Sequence, residues 1–470
     1  MNSCTHKVLD KPESNCGTVA VYNHPDAAYL AYLALYALQH RGQESAGIVS
    51  SDSGKLHKHV GHGVVADVFA DKAKFDQLAG RIAIGHNRYS TTGGASILNA
   101  QPLVVNMRDG ALAISHNGNF TNSGTLRYEL VQEGAIFQTT TDTEVLVHLI
   151  ARSKAPDIRE RIIEALKKVR GAFSIAIMIN DKIYALRDPS GVRPLCIGKK
   201  DDAYFAVSET CALDLIGAEY VRDVKPGELI EISKDGMKSF TFTEPNAGHK
   251  CIFEFVYFSR PDSRIFDDNV DKVRRKLGKN LALESPADAD IVISVPDSSN
   301  TAAVGYSRRS DLKFELGLIR NHYIGRTFIS PQQKQRDFGV RVKFNVVRGI
   351  LKGRRVVVVE DSVVRGTTLK QLVKLIRQSG ALEVHVRVSS PPITSPCYYG
   401  MDFPSKEELI ANNKTVDEIR DYLGCDSLAY LSKEALLDSV SHKNGGYCTA
   451  CFTGNYPIPI EAKIGKFQHE

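Results

Sequence analysis

Three groups of residues in this chain have types and spacings that can do chemistry. The first is VVVVEDSVVRGTT, from Val356 to Thr368. Four valines read as a buried strand. Glu360 and Asp361 follow at its carboxyl end, where open α/β sheets bind ligands. Ser362 to Thr368 forms a short turn that opens a helix, and backbone N–H groups at a helix N-terminus favour anions. Gly366 lets the backbone come close to a ligand, and Thr367 and Thr368 add hydroxyl donors. The acidic pair suits ribose hydroxyls, either directly or through Mg²⁺, which prefers oxygen ligands. The pattern points to a phosphorylated ribose with a divalent cation. The plainer alternative is a strand, turn and helix with exposed acids.

The second group starts at Cys16, in Cys16-Gly17-Thr18-Val19-Ala20-Val21, which begins a strand. A cysteine attacks a carboxamide when its thiolate is available and a base sits nearby. An N-terminal residue supplies its own base, because a free α-amine titrates at about 7.7–8.0. A lone cysteine at a strand start also reads as a buried core residue. The third group is the C-x₂-C pair Cys448 and Cys451, with Cys251 and Cys397 far away in sequence. Alone, such a pair serves zinc, redox chemistry or neither.

The scaffolds that must position these groups differ along the chain. Up to about Ile232, short apolar, β-branched runs recur between turn residues: Thr18 to Tyr22, Arg81 to His86, Ala111 to His116, Phe173 to Asn180, Lys182 to Leu186 and Glu228 to Ile232. Helical stretches at Ala27 to Gln39 and Asp142 to Arg170 interrupt them, which predicts sheets with helices packed on them. The polar segment Ser233 to Lys250 holds Gly and Pro and marks a domain boundary. Beyond it, Ile291 to Val295, Val356 to Val359 and Val384 to Val388 are continuous apolar runs, as central parallel strands are. Helical stretches such as Leu369 to Gln378 alternate with them, which predicts a doubly wound α/β sheet. The tail from Lys406 to Val440 reads as helical.

Composition sets the bounds. The 470 residues suggest two to three domains. A content of 43% hydrophobic and 24% charged residues supports sizeable cores. The net charge of +6 is small for this length, and the charges are interspersed, so no nucleic-acid-binding tail is read. A slight basic excess suits anionic small substrates. No apolar run approaches the roughly 18 residues of a membrane span. The polar start MNSCTHKVLDKPESN lacks the apolar core of a secretory signal. The expected location is the cytoplasm, where the nine cysteines stay reduced.

Against this background VVVVEDSVVRGTT resembles the phosphoribosyl pyrophosphate motif of type I phosphoribosyltransferases. One departure is Glu360, since members usually carry aspartate there. Val295-Pro296-Asp297-Ser298-Ser299-Asn300 resembles the same family's pyrophosphate loop, with Ser298 at a magnesium-contacting position. The polar, arginine-rich stretch Arg320 to Arg348 resembles its flexible closing loop, which excludes water from a reactive centre. In the first half HRGQESAG (His40 to Gly47), GHNRYSTTG (Gly85 to Gly93), SHNGN (Ser115 to Asn119) and TDTE (Thr141 to Glu144) resemble the class II glutamine amidotransferase domain. Together the matches run over nearly the whole chain from Cys16. The chain therefore resembles the amidophosphoribosyltransferase family, the glutamine phosphoribosylpyrophosphate amidotransferases.

That resemblance implies the following. Met1 to Asn15 is a propeptide removed by self-cleavage before Cys16, so Cys4 plays no part. Residues 16–235 form an α+β N-terminal nucleophile glutaminase domain, an αββα sandwich. Residues 251–470 form the α/β phosphoribosyltransferase domain with a helical tail. Cys16 is the nucleophile, and Asn117 and the Gly118 N–H form the oxyanion hole. Arg88 and Asp142 bind the glutamine α-carboxylate and α-amine. Arg365, Gly366, Thr367 and Thr368 bind phosphoribosyl pyrophosphate, and Ser298, Glu360 and Asp361 hold Mg²⁺. An iron–sulfur subset of the family places ligands to a 4Fe–4S cluster at positions matching Cys251, Cys397, Cys448 and Cys451, although four thiolates also suit zinc. The cluster is expected to be structural or oxygen-sensing, and Cys196, Cys211 and Cys425 are expected in cores. Expected activity is conversion of phosphoribosyl pyrophosphate, glutamine and water to 5-phosphoribosylamine, glutamate and pyrophosphate, entering purine synthesis. Purine nucleotides are expected as feedback inhibitors, and a dimer or tetramer as the assembly, with no nucleic-acid or membrane partner. Two rivals stand beside this reading. One is another class II amidotransferase, which the phosphoribosyl motif argues against. The other is a catalytically inactive, redox-sensing or nucleotide-binding protein on the same scaffold.

Overall fold

A computed structural model describes residues 16–89, 96–246, 248–321, 343–441 and 446–461. The expected propeptide, the end of GHNRYSTTG and most of Arg320 to Arg348 lie outside the described residues.

Alternation along single strands builds the first half. In Gly17–Tyr22, Val19 and Val21 face a core shared with the helix Ala27–Ala37, while Ala20 and Tyr22 face the opposite way. In Gly171–Ile179, Phe173, Ile175 and Ile177 face a core shared with Thr143–Arg152 and Ile158–Leu166, while Ala176 and Met178 face the other way. The second faces of both strands meet in one cluster. The result is four layers: helices, sheet, sheet, helices.

The first sheet has seven strands, in the order Glu219–Asp223, Cys196–Lys200, Ala203–Val207, Gly17–Tyr22, Ile82–Arg88, Ser45–Asp52 and Lys55–His62. The second has six, in the order Gly236–Thr241, Glu228–Ser233, Lys182–Arg187, Gly171–Ile179, Gly110–Phe120 and Leu103–Met107. Two expectations change here. The stretch Asp142 to Arg170 is two helices, broken near Pro156, with the Asp157 carboxylate capping the second through the Glu160 N–H at 3.0 Å. The polar boundary segment contains Gly236–Thr241, an edge strand of the second sheet, so the first domain runs on to Thr241. Its polarity is that of an exposed edge, not of a linker.

The second half centres on a five-stranded sheet ordered Lys313–Phe314, Ile291–Ser294, Arg355–Glu360, Glu383–Val388 and Ser427–Tyr430, all neighbours parallel. Val357 and Val359 pack on the side of the helices Val270–Glu284 and Asn300–Ser310, and Val356 and Val358 on the side of Thr367–Gln378. Both faces are covered, which explains the unbroken valine run. The tail is not one helical stretch. Gly424, at φ 72°, ends the helix Val416–Leu423, and the chain then adds Ser427–Tyr430 as the fifth strand before Lys433–Asp438.

Candidate active site

Cys16 directly precedes a central strand of the first sheet, where Gly17 pairs with Asn87 of Ile82–Arg88. It is buried, and burial pushes its thiol up to about 12, with the Arg88 guanidinium pulling the other way. At neutral pH the thiol form therefore predominates. Its Sγ lies 3.8 Å from the Tyr89 carbonyl oxygen, an acceptor that takes no proton away. The described surroundings thus supply no hydrogen-bonded side-chain base, which fits a nucleophile whose base is its own α-amine.

The second sheet presents Asn117 and Gly118 on Gly110–Phe120, paired with Ser174 and Phe173. The Asn117 side chain is 0% exposed, and neither its amide nitrogen nor its amide oxygen has a hydrogen-bond partner among the described residues. A buried amide left so is costly unless a ligand completes it. Gly118 sits at φ 146°, and a Cβ there would collide with the Ala172 carbonyl. We expect Gly118→Ala to lower stability by at least about 2 kcal/mol through backbone strain and the clash. Urea unfolding measures this, and an unchanged midpoint would count against the conformation described.

Asp142 begins the helix Thr143–Arg152, yet makes no side-chain cap bond. Its carboxylate turns to the strand Gly110–Phe120 and accepts the Phe120 N–H at 2.8 Å, with the His116 Nδ1 at 3.6 Å. Burial works against the charge, but the His116 imidazole and the N–H groups of Phe120 and Thr143 outweigh it and hold the carboxyl below its usual range. Arg88 is buried and pairs with Glu44 at 2.9 Å. Cys16, Arg88, Asn117 and Gly118 lie on or next to strands of the two facing sheets, and Asp142, at a helix start, is tied to the second sheet through the Phe120 N–H.

The second domain abuts this site. The Asn119 side-chain amide donates to the Tyr398 carbonyl at 2.9 Å, and Gly400 stacks its backbone on Gly118 so closely that a Cβ on Gly400 would lie 3.0 Å from the Gly118 carbonyl carbon.

The segment Val356 to Thr368 forms the strand, turn and helix start that its sequence implies. Glu360 ends its strand, and Gly366, at φ 75°, is the N-cap of the helix Thr367–Gln378. Glu360 and Asp361 are nearly fully buried at 2% and 1% exposure. Ser298 and Ser299 from the neighbouring loop donate to them: Ser298 to Asp361, and Ser299 to Glu360 at 3.1 Å. Ser362 adds a bond to Asp361 at 2.6 Å. The longer Glu360 side chain bends back to accept the Asp361 N–H at 3.0 Å. Ser298, Glu360 and Asp361 therefore converge, and all offer the oxygen donors Mg²⁺ selects, with water and phosphate completing such a shell. Arg365 lies beside them and pairs with Glu408 at 2.9 Å.

The four cysteines come from three segments. Cys251 ends His249–Cys251, which pairs in parallel with Gly446–Cys448 so that Cys251 sits opposite Cys448. The Cys451 carbonyl accepts the N–H groups of Thr394 and Ser395 at 3.0 and 3.1 Å, which brings the Cys397 segment alongside. The Cys397 Sγ accepts the Tyr399 N–H at 3.3 Å. All four are free thiols. Burial raises Cys251, Cys448 and Cys451, Cys448 to about 12, and in each case neighbouring members of the set raise it further. As thiolates these sulfurs would repel one another, and a cationic centre would neutralise them. Among the described residues no three His, Cys, Asp or Glu side chains converge on one ion. Four thiolates suit zinc or a 4Fe–4S cluster alike. Cys196, Cys211 and Cys425 are buried.

One group escaped the sequence reading. Arg41, in HRGQESAG, and Glu254, in CIFEFVYFSRPDS, meet in a fully buried ion pair with Glu209 and Arg193. Their only signal was a charge inside each motif with no role.

Comparison with known proteins follows the same division. A glutamine amidotransferase domain family matches residues 86–214. The chain is 51% identical over 458 residues to amidophosphoribosyltransferase 2, chloroplastic, of Arabidopsis thaliana, covering 97% of this chain and 82% of that protein. It is 48% identical over 450 residues to amidophosphoribosyltransferase of Bacillus subtilis (strain 168), covering 95% and 94%. The solved glutamine phosphoribosylpyrophosphate amidotransferase from B. subtilis, complexed with ADP and GMP, matches with a TM-score of 0.91 at 46% identity, over 95% of this chain and 98% of that one.

Proposed function

The chain belongs to the amidophosphoribosyltransferase family, and from that premise we propose how its residues share the work. The enzyme converts phosphoribosyl pyrophosphate, glutamine and water to 5-phosphoribosylamine, glutamate and pyrophosphate, the first committed step of purine synthesis.

Removal of residues 1–15 frees the Cys16 α-amine. The amine takes the thiol proton as Sγ attacks the glutamine carboxamide carbon. The developing oxyanion is held by the Asn117 amide and the Gly118 N–H. The ammonium form of the α-amine returns the proton to the leaving nitrogen, and ammonia departs. Water then attacks the Cys16 thioester and releases glutamate. Arg88 holds the substrate carboxylate, exchanging part of its pairing with Glu44, and Asp142, kept ionised, holds the substrate ammonium.

Ammonia passes internally to the second site, across the contact of Gly118 and Asn119 with Tyr398 and Gly400. There it displaces pyrophosphate from C1 of the ribose. The N–H groups of Gly366, Thr367 and Thr368 and the Arg365 guanidinium bind the substrate phosphates. Ser298, Glu360 and Asp361 would hold Mg²⁺, which neutralises the leaving pyrophosphate. Cys251, Cys397, Cys448 and Cys451 would hold a 4Fe–4S cluster, a structural clamp between the tail and the second domain. Purine nucleotides act as feedback inhibitors, a reading supported by the relative solved with ADP and GMP. The enzyme works as a cytoplasmic homo-oligomer. No helix among the described residues is long and apolar enough to cross a membrane.

The observation that carries the glutaminase assignment is the partnerless buried Asn117 amide on the strand that also bears Gly118. The test is one preparation measured three ways. Its N-terminal mass should begin at Cys16, its iron content should approach four per chain, and it should release pyrophosphate when given glutamine, phosphoribosyl pyrophosphate and Mg²⁺. No glutamine-dependent release from processed, iron-loaded enzyme would refute the proposed division of work.

A further inference from the structure

Arg41 is fully buried, and its guanidinium fork has three destinations. Nε donates to the Cys16 carbonyl oxygen at 3.2 Å. One terminal nitrogen donates to the Glu254 carboxylate at 2.8 Å. The other bonds the second Glu254 oxygen at 3.1 Å and pairs with Glu209. Glu209 belongs to the first domain. Glu254 belongs to the second, in the π-helical turn Glu254–Phe258.

Both carboxylates are anchored from other sides. Glu254 accepts Ser259 Oγ at 2.8 Å and Arg193 at 3.3 Å, and Arg193 also donates to the Tyr399 carbonyl of the second domain. Glu209 accepts Ser263 Oγ at 2.7 Å and the Arg260 N–H at 2.9 Å, and pairs with His40 at 2.7 Å. Arg41, Arg193, Glu209 and Glu254 all have fully buried side chains, so two positive and two negative charges balance away from water. A buried guanidinium stays where its carboxylates hold it, because leaving them uncompensated is costly. The orientation of the Cys16 peptide is thus set through Arg41 by a residue of the other domain.

We propose that Glu254 is a positioning residue for the nucleophile: the phosphoribosyl domain, through Glu254 and Arg41, fixes the main chain of Cys16. This rests on the reading of Cys16 as the nucleophile. The thiol and the α-amine share one Cα with the carbonyl that Arg41 grips. Rotation of that residue therefore moves attacking atom and base together, and a shift near 1 Å costs on the order of 10²-fold in rate. A salt bridge serving only to hold the domains together predicts something else: both nitrogen donors would lose activity in step with stability.

The test compares glutamine-dependent and ammonia-dependent turnover in the processed full-length enzyme. Glu254→Gln should lower kcat with glutamine by 10- to 100-fold, with KM for glutamine within threefold and ammonia-dependent kcat within twofold of the unaltered enzyme. Glu254→Asp keeps the charge and should recover at least a fifth of the lost turnover. Arg41→Lys keeps a buried cation but cannot grip carbonyl and carboxylates at once. It should reproduce the glutamine-specific loss even where Glu254→Gln folds poorly. Equal losses with both donors, an unchanged glutamine kcat, or no recovery by aspartate would overturn the proposal. If the unaltered processed enzyme used ammonia but not glutamine, the Cys16 reading itself would fall, and this inference with it.

Discussion

Cys16→Ala, produced without residues 1–15, should lose glutamine-dependent formation of phosphoribosylamine by at least about 10³-fold, equivalent to about 4 kcal/mol of transition-state stabilisation, and should retain turnover with added ammonia. The size of the effect follows from the surroundings of Cys16. In the proposed reaction its sulfur is the atom that attacks the carboxamide, and alanine offers no atom to form a thioester. Retention with ammonia follows from separation. Glu360, Asp361 and Ser298 stand on a different sheet, and neither the valine strand nor the turn after it uses Cys16. Steady-state pyrophosphate release with each nitrogen donor decides the matter. Equal loss with both would mean that the two chemistries are not divided as described.

The opposite pattern is expected for Asp361→Asn. This carboxylate is 1% exposed and takes hydroxyl bonds from Ser298, Ser299 and Ser362. Asparagine keeps the shape but removes the charge and turns one acceptor into a donor, facing hydroxyls that already donate. A cation held between Ser298 and the acidic pair then loses its strongest ligand. Turnover with glutamine and with ammonia should fall together, by about 10²-fold or more, or about 3 kcal/mol. Glu360→Asp restores the residue usual in the family at that place. The Glu360 carboxylate already folds back onto the Asp361 N–H, so its shortening should cost less than tenfold. Activity surviving in Asp361→Asn with either donor would remove Asp361 from the phosphoribosyl site.

Much of this was legible in the sequence because it rests on local patterns. The run Val356 to Val359 announces a strand covered on both faces, and Gly366 announces a turn needing positive φ. Both are properties of a few neighbouring residues. The αββα arrangement was legible only through resemblance, since the layers join strands far apart in sequence, as when Gly17–Tyr22 lies between Ala203–Val207 and Ile82–Arg88. The edge strand Gly236–Thr241 was hidden because an edge is polar on its open side and looks like a linker. The split of Asp142 to Arg170 was available in Pro156 but masked by good helical residues on either side. Arg41 and Glu254 were least visible of all. A lone charge in a short motif normally signals a surface position, and here partners distant in sequence, Glu209 and Glu254, reverse that.

The parallel ladder of His249–Cys251 with Gly446–Cys448 bears on how the enzyme is made. Its two strands are almost two hundred residues apart in the chain. Every strand of the glutaminase sheets precedes residue 242, so that half can assemble while synthesis continues. The second half cannot close its ladder until Gly446–Cys448 has left the ribosome, because loop closure over such a span waits for both ends. Cys251 therefore waits for nearly two hundred further residues before Cys448 or Cys451 can lie beside it. A centre that needs all four thiols could form only after Cys451 had emerged, and a chain truncated before Gly446 would carry a formed glutaminase half on a phosphoribosyl half that never seals.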